Sequence, residues 1–207
     1  MKLKVCGLTQ LNQVHELISL DVDFLGFIFY AKSPRYVLNH LNLKQISELD
    51  HSGKVGVFVN ETAENIAAIA EKAALNYIQL HGDENENFIK ALRDKLNDKE
   101  IKIIKVFRIG MDVEKIKFTT QNSLADFFLF DTDSTSFGGT GKTFGWQLLN
   151  ELEIQKPYFL SGGISPENPK DMHNIIQSPF ALDINSKFET EPGVKDVHKI
   201  KQFYGKL

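Results

Sequence analysis

One thiol, a few isolated carboxylates and a glycine pair hold the chemistry that can be read from this chain. Cys6 is the only cysteine among 207 residues, and it ends a short run, Lys2–Cys6, just before Gly7. Such a cysteine is either a small buried hydrophobe or, at the end of a strand, a proton acceptor. A thiol ionises at about pH 8.5, so modest electropositive help makes it a usable base near neutrality. Asp131 ends a very apolar run, Phe127 to Phe130. A carboxyl group against that surface has its pKa raised and can hold the proton that a general acid delivers. The plainer reading is a turn or cap aspartate, with Asp133 a competitor further along the loop.

Ser161-Gly162-Gly163-Ile164-Ser165-Pro166 joins an apolar run to a helical pattern. Glycines there let backbone N–H groups approach an anion, and a helix start adds partial positive charge. Asn185-Ser186, after a later run, completes such a phosphate cradle, although a tight turn accounts for one of the glycines equally well. Arg35 follows Ser33-Pro34 and carries a fork of donors suited to a carboxylate; a surface arginine is the commoner outcome. His81 reads as a packed, hydrogen-bonded residue. The six histidines show no ligand spacing, and a single cysteine excludes a cysteine-rich zinc site or an intrachain disulfide, so no metal is expected. The segment Phe137–Phe144 contains Gly141-Lys142-Thr143, but Ser136 stands where a nucleotide-binding loop needs its first glycine. It reads instead as a glycine-rich lid over a site.

These residues need elements to position them. Strands are expected at Lys2–Cys6, Phe24–Phe29, Lys54–Val59, Tyr77–His81, Lys102–Arg108, Phe127–Asp131, Pro157–Ser161 and Phe180–Ile184. Several are apolar throughout, as parallel strands covered on both faces must be. Between them lie amphipathic helices. Ile66, Ile69, Ala70, Ala73 and Ala74 share one face, as do Phe88, Leu92 and Leu96, then Met172, Ile175 and Ile176, and finally Val197, Ile200 and Tyr204. A shorter helix is expected from Trp146 to Leu152. Eight strands alternating with eight helical segments predict one α/β domain over residues 1–207, a closed (βα)8 TIM barrel. The rival, a doubly wound open sheet, usually has fewer strands, and the first strand here lacks the Gly-x-Gly-x-x-Gly turn. In a barrel the chemistry sits at the C-terminal strand ends, where Cys6, Arg35, His81, Arg108, Asp131, Gly162, Gly163 and Asp183 fall.

Bulk composition agrees. Apolar residues make up 42% and charged residues 25%, ordinary for a globular protein, and a net charge of −3 gives no general attraction to nucleic acid or anionic membranes. No signal peptide and no apolar run long enough to span a membrane is seen, so the cytoplasm is the expected compartment. Oligomeric state is left open between monomer and homodimer.

In order along the chain, Lys4-Val-Cys-Gly-Leu-Thr9, Ser33-Pro-Arg-Tyr36, Val55-Gly-Val-Phe-Val-Asn60, Gln79-Leu-His-Gly82, Phe130-Asp-Thr132, Gly138-Gly-Thr-Gly-Lys-Thr-Phe144, Leu160-Ser-Gly-Gly163 and Pro192-Gly-Val-Lys-Asp196 resemble the successive motifs of the phosphoribosylanthranilate isomerase family. The resemblance implies an Amadori rearrangement in tryptophan biosynthesis. By that likeness Cys6 is the general base at sugar C2, Asp131 the general acid at the ring oxygen, and Arg35 the clamp on the anthranilate carboxylate. The seventh and eighth loops (Gly162, Gly163, Asn185, Ser186) hold the phosphate, and Asp183 orients substrate or other site groups. His81 adds to the substrate site, the partner is a small phosphoribosyl molecule, and no cofactor is implied because protons move within one molecule. Where the family shows Ser-Ser-Gly, this chain has Asn185-Ser186-Lys187, and the lost glycine is expected to alter the allowed φ. Three alternatives remain at this point. The isomerase of histidine biosynthesis uses two aspartates, against which Cys6 argues, and a non-catalytic phosphate-binding barrel would not need Cys6 and Asp131 together. The third is a Cys6–His81–Asp131 hydrolase.

Overall fold

The computed structural model describes residues 1–108, 113–131, 146–168 and 174–207. Eight parallel strands close into a barrel in chain order: β1 Lys2–Cys6, β2 Phe24–Ile28, β3 Lys54–Phe58, β4 Tyr77–Leu80, β5 Lys102–Arg108, β6 Phe127–Asp131, β7 Tyr158–Ser161 and β8 Ala181–Ile184. Closure comes from β1, which pairs with β2 (Lys4 opposite Phe24) and with β8 (Lys4 opposite Asp183). A closed ring leaves no strand edge exposed.

Side chains alternate across each strand, so one set faces the helices and the other fills the barrel. Inside lie Phe24, Val55, Ile104, Val106, Leu129, Phe159 and Ala181, with Tyr77, Phe127 and Phe180 against them. The outward set, including Leu3, Val5, Leu25, Phe27, Ile103, Phe128 and Phe130, joins the helices in a larger core. Both faces are dry, which is why these strands read as continuous apolar runs.

The helices are α1 Leu11–Ser19, α2 Leu43–Ser47, α3 Ala63–Lys72, α4 Glu86–Lys95, α5 Val113–Gln121 and α6 Val197–Tyr204. Four of their starts are set by side chains that accept from the first turn's orphan N–H groups. Thr62 caps α3, Asn85 caps α4 and Asp196 caps α6, and Asn42 and Gln45 form a reciprocal capping box on α2. In α3, Ile66, Ala70 and Ala73 are buried as the periodicity predicts. Ala74 is not: it is exposed, with a left-handed φ of 47°, and turns the chain so that Leu75 enters the core instead.

Two further departures concern the second half. After β6, Trp146–Glu151 forms a 3-10 turn rather than an α-helix. After β7, Ile175 is buried but Ile176 is 80% exposed, so the two do not share an inward face; Met172 lies outside the described residues. The proposed lid, Phe137–Phe144, also lies outside them, as do Thr132 and Asp133. An unanticipated antiparallel hairpin, β9 Glu189–Glu191 with β10 Val194–Lys195, follows β8 at the barrel mouth.

Candidate active site

The C-terminal mouth holds a cavity of about 240 Å³. Cys6, Arg35, His81, Asp131 and Asp183 line it, and so do Gly162, Gly163, Asn185 and Ser186. These nine residues, all given a site role in the sequence reading, therefore meet in one place, whereas Arg108 at the end of β5 is exposed and donates to the His81 carbonyl instead. Gln79, Ser161 and Lys187 line it too.

Cys6 ends β1 with its side chain inside the barrel, opposite Gly26 of β2. A Cβ on Gly26 would lie 2.9 Å from Cys6 Cα and 3.0 Å from its sulfur, so only glycine leaves room for the thiol. Gly7, at φ +78°, then turns the chain away; a Cβ there would come within 2.7 Å of Arg35 Cδ and 2.8 Å of Asn185 Oδ1. Two residues before the thiol and on the same strand face, Lys4 is fully buried and donates to Asp183 Oδ1 at 2.8 Å. Ser161 Oγ donates to the other Asp183 oxygen at 3.3 Å.

The thiol's setting differs from the sequence expectation. Burial pushes the Cys6 thiol up, Lys4 pulls it down, Asp183 pushes it up and Lys195 pulls it down, and the net direction is up. A charged sulfur loses its hydration inside the barrel, and neighbouring cations recover only part of that cost.

Across the cavity, Asp131 ends β6 with His81 Nε2 3.6 Å from its Oδ2. Gln79 Nε2 lies 3.1 Å from His81 Nδ1. With that amide N–H donating to Nδ1, the imidazole hydrogen of a neutral His81 is on Nε2, facing Asp131. Among the described residues, Gln79 Oε1 is a buried oxygen that no donor reaches.

Arg35 is not a free surface arginine. Glu189 of β9 takes its Nε (2.9 and 3.0 Å) and Nη2 (2.6 Å), leaving Nη1 for another acceptor. The same carboxylate accepts from Lys195 Nζ at 2.6 Å and from Gly193 N–H at 3.1 Å. Lys195 also donates to Asn185 Oδ1 at 2.8 Å, so the Asn185 side-chain oxygen is already engaged. Burial pushes Glu189 up, but Arg35 and Lys195 outweigh it and hold the carboxyl below its ordinary value. For Lys195 burial prevails over Glu189, and its ammonium is held below the ordinary lysine value.

In the turn after β7, Gly162 (φ +77°) and Gly163 (φ +69°) need the left-handed region open to glycine, and nothing lies within 4 Å of a Cβ built on Gly163. Here the second expectation is revised. Lys187 sits in a 3-10 turn, Ser186–Phe188, and is absent from the left-handed region, so replacing a glycine there causes no backbone strain.

Lys4, Gln79, Glu189 and Lys195 escaped the sequence reading. Lys4 carried no signal, because Lys2 and Lys4 alternate with Leu3 and Val5 as in a strand with one solvated face. Glu189 and Lys195 flank Pro192-Gly193, which marks a hairpin turn.

A parallel barrel that gathers proton-transfer groups and a glycine turn at its C-terminal mouth defines a (βα)8-barrel enzyme handling a small anionic substrate. The N-(5'-phosphoribosyl)anthranilate isomerase family pattern matches residues 3–206. That isomerase from Clostridium acetobutylicum is 41% identical over 209 residues, covering 98% of this chain and 96% of its own. The crystal structure of the Thermotoga maritima enzyme superimposes with a TM-score of 0.80 at 31% identity, over 99% and 97% of the two chains. Another solved isomerase, in complex with reduced 1-(o-carboxyphenylamino)-1-deoxyribulose 5-phosphate, matches with a TM-score of 0.77 at 29% identity, over 98% and 96%. The chain belongs to the N-(5'-phosphoribosyl)anthranilate isomerase family. It is an isomerase of tryptophan biosynthesis, catalysing the Amadori rearrangement of N-(5-phosphoribosyl)anthranilate to 1-(2-carboxyphenylamino)-1-deoxyribulose 5-phosphate.

Proposed function

We propose that Cys6 is the general base of this rearrangement and Asp131 its general acid. Asp131 gives a proton to the ring oxygen as the C1–O bond breaks, and the anilino nitrogen lone pair forms the C1=N iminium. Cys6, as thiolate, takes the C2 proton; the C2–H electrons become the C1=C2 bond and the iminium pair returns to nitrogen. The resulting enolamine becomes the ketone as a proton reaches C1 and the C2 hydroxyl loses its own. One observation carries this reading: Cys6 and Asp131 line one cavity from β1 and β6, with a carboxylate clamp and a glycine turn on its rim.

The remaining roles follow from chemistry. Arg35 holds the anthranilate carboxylate with Nη1, which Glu189 leaves open, and Glu189 fixes the guanidinium plane. Backbone amides of the Gly162-Gly163 and Asn185-Ser186 turns hold the phosphate, with Lys187 adding charge at the rim. Gln79 Oε1 accepts from a sugar hydroxyl, while His81 orients Asp131 and Asp183 orients Lys4. The chain acts as one catalytic domain in the cytoplasm, as a monomer or homodimer; a Thermotoga maritima relative is described as dimeric.

The test is turnover of freshly generated phosphoribosylanthranilate, followed by fluorescence. Cys6→Ser and Asp131→Asn are each expected to lower kcat by about 10²–10⁴-fold with the fold intact. Normal rates in both variants would show that this acid–base pair is wrong.

A further inference from the structure

Two lysines are buried beside the reactive sulfur, and the reaction as written uses neither. The charged groups facing Cys6 come from every element packed round it. Lys4 lies on its own strand, Asp183 on β8, Lys195 on β10 beside Glu189 of β9, and Arg35 in the loop after β2; β2 itself presents only Gly26. Lys4 is fully buried, as is the Lys195 side chain, and their carboxylate partners are nearly so. Each carboxylate is matched, Asp183 by Lys4 and Glu189 by Arg35 and Lys195 together.

The balance of charge is uneven. With Asp131 holding the proton that its proposed role requires, three cations, Lys4, Arg35 and Lys195, stand against two carboxylates, Asp183 and Glu189. Buried charge without a counter-ion is costly, so a dry cluster with one surplus positive charge favours an anion in its midst. The Cys6 sulfur is the group in the cluster that can become one. Strand geometry aims the nearest cation at it, because residues two apart share a strand face and both Lys4 and Cys6 point into the barrel.

We propose that Lys4 is a positioning residue for the proton transfer, with its ammonium holding the Cys6 thiolate as the working base and Lys195 lending the second charge. The thiol proton leaves to solvent, and the sulfur anion balances the cluster until it takes the proton from C2. Asp183 then acts at one remove, pinning the Lys4 ammonium beneath the sulfur rather than touching substrate. This inference rests on Cys6 being the base.

Because Cys6 is the only cysteine, its ionisation can be followed directly in the substrate-free protein by ultraviolet thiolate absorbance, with Cys6→Ser as the blank. In Lys4→Met the thiol is expected to titrate at higher pH, with the thiolate fraction near neutrality down by about tenfold for each unit moved. In that variant kcat/KM should fall by a similar factor at neutral pH and recover as pH is raised, with KM little changed. Lys4→Arg, which keeps the charge, should restore the titration. Lys4→Met strands the Asp183 carboxylate, which itself pushes the thiol up, so Lys4→Met/Asp183→Asn is the second variant and is read by titration against Asp183→Asn alone, above which it should titrate. A thiol titration that Lys4→Met leaves unmoved, whether Asp183 is present or replaced by Asn, overturns the inference, as does lost activity that higher pH does not recover. The two readings fail separately. A Cys6→Ser enzyme with normal turnover removes the base assignment, whereas an inactive Cys6→Ser with an unmoved Lys4→Met titration removes only the role of Lys4.

Discussion

The barrel interior has two halves, built by the same alternation and filled in opposite ways. Toward the N-terminal end of the strands, Phe24 meets Tyr77 and Phe159 edge-on at 5.2 Å, and Phe127 and Phe180 close the cluster. Even Lys2 contributes there by lying 4.9 Å over the Phe180 ring. One or two positions further along the same inward rows stand Lys4, Cys6, Gln79, Asp131, Ser161 and Asp183. The floor is a dry plug whose partners are interchangeable apolar surfaces. The mouth is a set of polar groups each committed to a named partner. Aromatic packing below provides the rigidity that buried charges above require, and the Lys4–Asp183 pair joins the two strands at which the barrel closes.

That contrast can be broken from either end. The largest structural effect is expected from Phe159→Ala, which removes a fully buried ring from the floor and should cost about 3–5 kcal/mol of stability. Thermal unfolding would report a fall of about 10 °C, whereas turnover per folded molecule at low temperature should stay near normal; a large loss of turnover would mean that the two halves are coupled. Gly7→Ala probes the seam between them. Its positive φ and the 2.7 Å approach to Arg35 predict about 1–3 kcal/mol of strain together with a raised KM, so stability and activity fall together. A variant that loses only one of the two would divide the seam from the site. Lys187→Ala, at the solvated rim, should do least: a rise in KM of about two- to fivefold that vanishes at high salt, with kcat and stability unchanged. A salt-independent change would show that Lys187 acts by shape and not by charge.

The strands were legible because burial on both faces writes them as continuous apolar runs. β5 and β6 match the expected bounds, and β7 and β8 begin one residue later, at Tyr158 and Ala181. The segment after β7 was not, because Ile175 and Ile176 both scored as helical core while only one is inward. The site was legible wherever a single polar residue ended such a run, as with Cys6 and Asp131. It was opaque where function depends on pairing across the chain. Lys4 reads as a surface charge until Asp183, 179 residues away, is placed beside it. Arg35 looked free because its partner, Glu189, lies in a hairpin too short to leave a periodic pattern.

The seam between the first and last strands has a temporal side as well. The sulfur-bearing strand is made well before its β8 neighbour, the carboxylate that anchors Lys4 and the hairpin that fixes Arg35. Until then one flank of that strand has no neighbour, and no long-range contact compensates the entropy of closing so long a loop. The surroundings of Cys6 are therefore complete only once β8 and the hairpin have docked, and a polypeptide truncated before β8 carries the thiol without Asp183 and Glu189 beside it.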